Sequence, residues 1–170
     1  MELTFVTEKN LQQSFAGESQ ANRRYLFFAE KAENEGYPQI SKLFRAVAEA
    51  ETVHARNHFA AMDGIGSTKD NLLAGIMGEH YEFTRMYPVF IEQAASENNQ
   101  RAQRSFEYAN EAEQIHHCLF QGMFKALESG HQLKNEPYFV CQTCGNTVAG
   151  EEPETCLICG TPRSQFEKVE

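Results

Sequence analysis

Residues 40–61 read ISKLFRAVAEAETVHARNHFAA, and the spacing of their apolar positions decides what the surrounding chain becomes. Ile40, Phe44, Val47, Glu51, His54, His58 and Ala61 follow one another at steps of four and three, which on an α-helix places all seven on one stripe. Such a stripe predicts burial, yet Glu51 and His54 occupy two of its core positions. Residues 102–127 repeat the arrangement with Ala102, Phe106, Ala109, Glu113, His116, Phe120, Met123 and Leu127. A stripe of Leu11, Phe15, Glu18, Tyr25, Ala29 and Ala32 precedes the quoted stretch, and one of Gly75, Glu79, Glu82, Met86 and Val89 follows it. Every helix is therefore expected to turn a carboxylate inward. Helix breaks are expected around Gly36-Tyr37-Pro38, Gly64 to Thr68 and Glu97-Asn98-Asn99, leaving four long helices between about Thr7 and Gly130. Pro38 suits a first turn, Ser67 or Thr68 with Asp70 an N-cap, and Gly130 a stop, while Pro88 should bend the third helix.

Beyond Gly130 the pattern changes. His131 to Pro137 reads as a linker, and Tyr138 to Glu170 is short, turn-rich and cysteine-bearing. Two domains are expected, 1–134 and 135–170. The second is too small to bury a core of its own, so its cysteines must supply stability by holding a metal. Cys141-x-x-Cys144 and Cys156-x-x-Cys159, eleven residues apart, form two knuckles whose thiolates can converge tetrahedrally on one ion. Zinc would make this tail a staple and iron a one-electron carrier; the spacing does not choose between them.

Composition narrows the function. The 170 residues carry a net charge of −9 and no basic stripe, which excludes a surface built to neutralise phosphates, so no nucleic acid is expected. No segment approaches the ~20 apolar residues that span a bilayer, and the start Met1-Glu2-Leu3-Thr4 lacks the pattern of a secretion signal. No membrane association and a cytoplasmic location are expected. Five inward carboxylates, Glu18, Glu51, Glu79, Glu82 and Glu113, would repel one another and lose hydration at several kcal/mol per uncompensated charge. Lys and Arg are absent from the stripes at these levels. The pairs Glu51/His54 and Glu113/His116 supply oxygen and nitrogen from adjacent turns, so two multivalent cations fit, in the carboxylate-bridged di-iron or di-manganese manner of a four-helix bundle.

With Phe15-Ala16-Gly17-Glu18, Arg24-Tyr25, Glu51-Thr52-Val53-His54, Glu79-His80-Tyr81-Glu82, Tyr87-Pro88, Glu113-Gln114-Ile115-His116 and the cysteine tail in view, the chain resembles a rubrerythrin over nearly its full length. The resemblance implies a mainly α fold: a ferritin-like four-helix bundle with a small C-terminal rubredoxin-like metal-knuckle domain. It implies a non-haem di-iron centre that reduces hydrogen peroxide to water. Glu51 and Glu113 would bridge two irons, with Glu18, His54, Glu79 and His116 as terminal ligands. Glu82 would be an extra ligand that exchanges with His54 as one iron changes oxidation state, the anionic oxygen suiting the ferric ion and the imidazole the ferrous one. Tyr25 and Tyr87 match tyrosines that hydrogen-bond to ligand carboxylates. The same resemblance favours iron over zinc in the tail, although Asn146 and Leu157 stand where an aromatic residue and a proline are common. An external electron donor, a reductase or a rubredoxin, is then needed.

Other polar residues carry blander expectations. His58 is read as packed, His80, His117 and His131 as solvated, Glu49 and Glu111 as surface charges, and Cys118 as a buried or half-buried thiol. A ferritin-like ferroxidase that handles iron is the alternative function, against which Glu82 and the tail argue; a zinc-tailed bundle that binds a partner is a third, which leaves the inward carboxylates without purpose. The loop from Asp63 to Thr68 reaches only ~20 Å, while a helix of ~24 residues is ~36 Å long. A ferritin-like arrangement therefore predicts a homodimer exchanging helical hairpins, with Glu18, Glu51 and His54 from one protomer meeting Glu79, Glu82, Glu113 and His116 of its partner. The tail is then expected beside a site built partly or wholly by the partner.

Overall fold

The computed structural model describes residues 3–169. Met1 and Glu2, on which part of the secretion-signal reading rests, and Glu170 lie outside the described residues. The chain is mainly helical and divides into two compact units, the first ending at Gly66 and the second beginning at Ser67.

The first unit is a helical hairpin of α1 (Leu3–Asn34) and α2 (Pro38–Ala61). Helix α1 begins four residues before the expected Thr7. It ends where Gly36 takes φ +82° and Tyr37 N–H returns to the Ala32 carbonyl at 2.9 Å, a closure that only glycine makes without strain. Pro38 then opens α2, where its missing N–H costs nothing. Small residues form the seam: Ala21, Ala29, Ala32, Ser41 and Ala48 are buried, so the two backbones approach closely. Asn22 fastens them, its Nδ2 donating to the Ala48 carbonyl at 2.8 Å and to Thr52 Oγ1 at 2.9 Å. Phe15 stacks on Phe59 at 4.8 Å, and Phe28 meets Phe44 edge-on at 5.6 Å.

The second unit holds α3 (Thr68–Tyr81), a π-helical turn over Glu82–Met86, α4 (Tyr87–Ser96) and α5 (Gln100–Glu128). A reciprocal capping box between Ser67 and Asp70 starts α3, and Asn99 caps α5 by accepting from Ala102 N–H. Pro88 was expected to bend one continuous helix; the structure instead inserts the π turn just before it. Proline has no N–H to give the carbonyl four residues back, and its ring crowds that carbonyl. The wider turn, in which Tyr87 N–H reaches the Glu82 carbonyl, absorbs both defects. Gly75 faces Phe120 so closely that a Cβ there would sit 3.1 Å from the ring. After Gly130, at φ +65°, residues 131–137 are neither helix nor strand. Strands β1 (Tyr138–Cys141), β2 (Thr147–Ala149) and β3 (Phe166–Val169) follow in an antiparallel sheet of order β2-β1-β3, with Val140 opposite both Thr147 and Glu167.

One expectation needs correcting throughout both units. The stripes are half-buried rather than buried: Ile40 and Val89 are each 47% exposed, and His54 and Ala61 are exposed. A helix pair by itself covers only the narrow seam where its alanines meet, so the longer side chains flanking that seam keep one side open. Because Ala29 sits in the seam with no exposed surface, Ala29→Leu should lower unfolding stability by about 1–3 kcal/mol through overpacking. A denaturant titration in which this variant matches the parent would show that the seam is not tightly packed.

Candidate metal centres

Three groups of side chains among the described residues bring ligand atoms within 4.8 Å of one another: Glu18, Glu51 and His54 in the first unit, and Glu79, Glu113 and His116 together with the four tail cysteines in the second. The two helical groups are built alike. In α2, His54 Nδ1 lies 2.8 Å from Glu51 Oε2; in α5, His116 Nδ1 lies 2.5 Å from Glu113 Oε2. The three-residue spacing stacks the imidazole one turn beyond the carboxylate, so both histidines turn the same ring nitrogen toward the acids. The carboxylates are the sheltered members, with side chains 15% exposed at Glu51 and 16% at Glu113, whereas His54 is 53% exposed.

The other nitrogen of His116 faces the tail. Its Nε2 lies 3.2 Å from the Gly145 carbonyl and 3.0 Å from Thr147 Oγ1. An acceptor at each ring nitrogen suits the doubly protonated imidazolium in the metal-free chain, Nδ1–H donating to Glu113 and Nε2–H to the tail; with a cation at Nδ1, the tail oxygens would keep the remaining proton on Nε2, the way metal-binding imidazoles are held. Gly145 directly follows Cys144, so one hydrogen bond separates a candidate helical ligand from a knuckle. Nothing in the spacing of Gly145 or Thr147 announces this contact, which depends on how the tail folds back.

In the tail, Cys141 Sγ lies 3.6 Å from Cys159 Sγ and Cys144 Sγ 3.5 Å from Cys156 Sγ. Four thiolates at ~2.3 Å around a tetrahedral ion stand roughly 3.8 Å apart, so the donor set fits a single metal ion. Burial pushes the Cys141 thiol up, but donors from Thr161 and the amides of Thr143 and Cys144 outweigh it and hold the thiol at about 6. Burial likewise raises Cys156, and the amides of Cys159 and Ile158 with the Asn146 side chain bring it below its ordinary value. Cys144 is raised, chiefly by burial. A cation that removes all four protons is the state these sulfurs are arranged for.

A sequence model of the family described as rubrerythrin matches residues 9–124. The chain belongs to the rubrerythrin family. Rubrerythrin-2 of Clostridium acetobutylicum is 38% identical over 176 residues, covering 95% of this chain and 96% of that protein. Rubrerythrin of Nitratidesulfovibrio vulgaris is 34% identical, covering 95% and 93%. Among solved structures, fully reduced, all-ferrous nigerythrin is 32% identical at a TM-score of 0.58, and mixed-valent nigerythrin 31% identical at 0.56; each covers 96% of this chain and 86% of its own. The ferritin-like di-iron fold with a rubredoxin-like four-cysteine site follows from this membership, and iron is the family's metal.

Against that family pattern the second unit's acids have a specific electrostatic signature. Burial raises Glu79 to about 7, helped by its hydrogen bond to Glu113 and by the charge of Glu113. Burial also raises Glu113, but its bonds to His116 and Glu79 outweigh this and hold it low, while the bond from Glu113 holds His116 high. Glu82 belongs to no three-ligand group, yet burial and the charge of Glu113 raise it. Burial and the charges of Glu82, Glu113 and Glu79 raise Tyr87, which places its hydroxyl among these acids. Tyr25 instead lies in an aromatic cluster, 6.1 Å from Phe44 and 6.3 Å from Phe28.

The remaining polar residues divide. Glu49, Glu111, His80 and His131 are exposed as expected, and His58 is half-buried in no ligand group among the described residues. His117 was expected to be solvated but is half-buried, its Nδ1 donating to the Ile76 carbonyl at 3.0 Å, because it faces α3 across the helix pair. Cys118 was expected to be sheltered and is exposed, since it follows the stripe residue His116 by two positions and so points off the packed face.

The pH response of the metal-free protein follows. Glu79 is raised from 4.5 to about 7, so the folded chain keeps a proton that the unfolded chain has lost. Its stabilisation is complete below about 4.5 and disappears as pH rises through about 7; His116, raised from 6.5, acts in the same sense. Thermal midpoints of the metal-free chain should fall between pH 5 and 8, and ferrous ion should remove the fall by replacing the protons. Midpoints that stay level or climb across that window would contradict the proton-holding acid pair.

Proposed function

We propose that this protein is a rubrerythrin-type peroxidase that reduces hydrogen peroxide to water with electrons entering through an iron in the four-cysteine tail. The observation that carries the reading is the His116 bridge: one imidazole faces Glu113 and Glu79 with Nδ1 and the carbonyl next to Cys144 with Nε2. Supporting it, solved structures of the related nigerythrin describe mixed-valent and all-ferrous states. The carboxylate and imidazole groups would hold a pair of ferrous ions, which when bound would supply the two electrons that hydrogen peroxide needs, with two protons, to become two waters. Glu18, Glu51, His54, Glu79, Glu113 and His116 would hold the pair, with Glu82 as a further ligand in alternation with His54. Tyr87, held protonated by burial and surrounding acids, keeps a hydroxyl hydrogen to donate to Glu82 or a neighbouring carboxylate. For Tyr25 we propose the same service toward the first unit's acids.

Each of the two carboxylate–histidine groups among the described residues offers three clustered ligands, too few for two irons. We infer that the two half-sites close over one metal pair through exchange of hairpins between protomers of a homodimer. The connection from Met62 to Ser67 supports this, since it is far shorter than α2, whose 24 residues extend ~36 Å. The electron donor would be an external reductase or rubredoxin, and the working compartment the cytoplasm; no helix among the described residues is long and apolar enough to cross a membrane.

The decisive experiment mixes reduced protein with peroxide and with oxygen in turn while following the visible absorbance of the tail iron. Peroxide should reoxidise it rapidly and oxygen slowly. Equal or faster oxidation by oxygen, with iron accumulating beyond three per chain, would overturn the peroxidase in favour of a ferroxidase. Crosslinks between the two hairpins should run as covalent dimers on a denaturing gel, and purely intrachain products would reject the exchange.

A further inference from the structure

The two knuckles are repeats of one another. Each reads Cys-x-x-Cys-Gly followed by a polar residue, Asn146 in the first and Thr161 in the second. Gly145 and Gly160 take φ +81° and +72°, and their N–H groups return to the carbonyls of Cys141 and Cys156 at 2.9 and 3.0 Å. The N–H groups of Cys141 and Cys156 in turn donate to the carbonyls of Asn146 and Thr161 at 2.9 and 2.8 Å. The first cysteine of each knuckle is buried, 1% exposed at Cys141 and 2% at Cys156.

The side chains of the two polar residues cross between the knuckles. Thr161 Oγ1 lies 3.4 Å from Cys141 Sγ and 3.0 Å from Cys159 Sγ. Asn146 Nδ2 donates to Cys156 Sγ at 3.5 Å. Asn146 is itself 2% exposed, and its Oδ1 has no hydrogen-bond partner among the described residues. A buried amide oxygen without a partner is unfavourable. Turning the amide over would aim that oxygen at an anionic sulfur, which is worse. The orientation is thus set by the sulfur: Asn146 forgoes one partner to keep an N–H on Cys156.

The geometry points to Asn146 as a positioning residue of the tail that raises the reduction potential of the iron held there by donating its side-chain amide to the Cys156 sulfur. The inference rests on the reading of the tail as an iron site, and is independent of whether peroxide is the substrate. When a ferric ion bound by four thiolates accepts one electron from an external one-electron carrier, no bond breaks and the net charge passes from −1 to −2. Part of the added charge appears on the sulfurs, so an N–H dipole directed at one of them stabilises the reduced form more than the oxidised form. Backbone donors to Cys156 come from Ile158 and Cys159 and hold in any chain that makes this knuckle. The Asn146 amide is instead a matter of this chain's sequence, since the backbone turn alone does not supply it.

The test uses the full chain reconstituted with ferrous iron, comparing the parent with Asn146→Leu, Asn146→Asp and Asn146→Thr. The leucine keeps the shape without the donor, and should lower the potential of the tail iron and shift its sulfur-to-iron charge-transfer band. The aspartate, which replaces the donor by a charge, should lower it further. Threonine, the residue at the equivalent place in the second knuckle, should restore much of the difference. An Asn146→Leu potential equal to or above the parent's, at full iron content, overturns the proposal; should that variant fail to hold iron, an Asn146→Asp potential at or above the parent's does the same. Metal analysis of the protein as isolated separates the two readings. Zinc in the tail would refute the iron assignment, while the potentials of the reconstituted variants would still report on Asn146.

Discussion

Uncompensated negative charge on the inner helix faces is the constraint around which this protein is organised. An acid placed on an otherwise apolar stripe loses hydration and gains repulsive neighbours, and a protein tolerates this only if a proton or a cation takes up the charge. In the second unit the proton-bearing arrangement is visible: Glu79 holds a proton against Glu113, and Glu113 draws His116 toward its charged form. That is a resting arrangement of groups whose geometry serves a multivalent ion. The same pairing of carboxylate and Nδ1 in α2 makes the first unit its counterpart.

The constraint also accounts for how each unit is packed. Alanines bring α1 and α2 together, leaving the acids beside the seam, sheltered on one side and accessible on the other. A hairpin covered on both faces by large apolar side chains would have no room for ligands. In the second unit, half-burial raises the proton affinity of Glu79 and Glu82 without stranding fully ionised groups in a dry interior, where the cost would be several kcal/mol per ion. The π turn before Pro88 belongs to the same economy of backbone, since it lets one helix line carry Glu79, Glu82 and Tyr87 and then continue through a proline.

The four-cysteine tail solves the charge problem differently. Its thiolates are surrounded by backbone amides and by two side-chain donors from corresponding places in a repeated knuckle. One connection to the helices is an imidazole edge, His116 to Gly145 and Thr147. Oxygen ligands suited to hard ions lie on one side of that edge and sulfur ligands suited to softer ones on the other.

Periodicity alone located the four stripes, the inward Glu and His residues and the helix breaks, because a 3.6-residue repeat is written directly in residue order. The two Cys-x-x-Cys pairs were equally legible, since a knuckle is a local structure. Only the tertiary structure decided which side chains gather: that Asn22 fastens α1 to α2, that His116 also faces Gly145, that Asn146 crosses to Cys156, and that the stripes stay half open. His117 was misplaced for the same reason, its surroundings being set by a facing helix rather than by its own. Spacing along one helix fixes direction around its axis, whereas contact between elements depends on how closely two backbones approach and where a small tail folds back, and neither is encoded in any single stretch of residues.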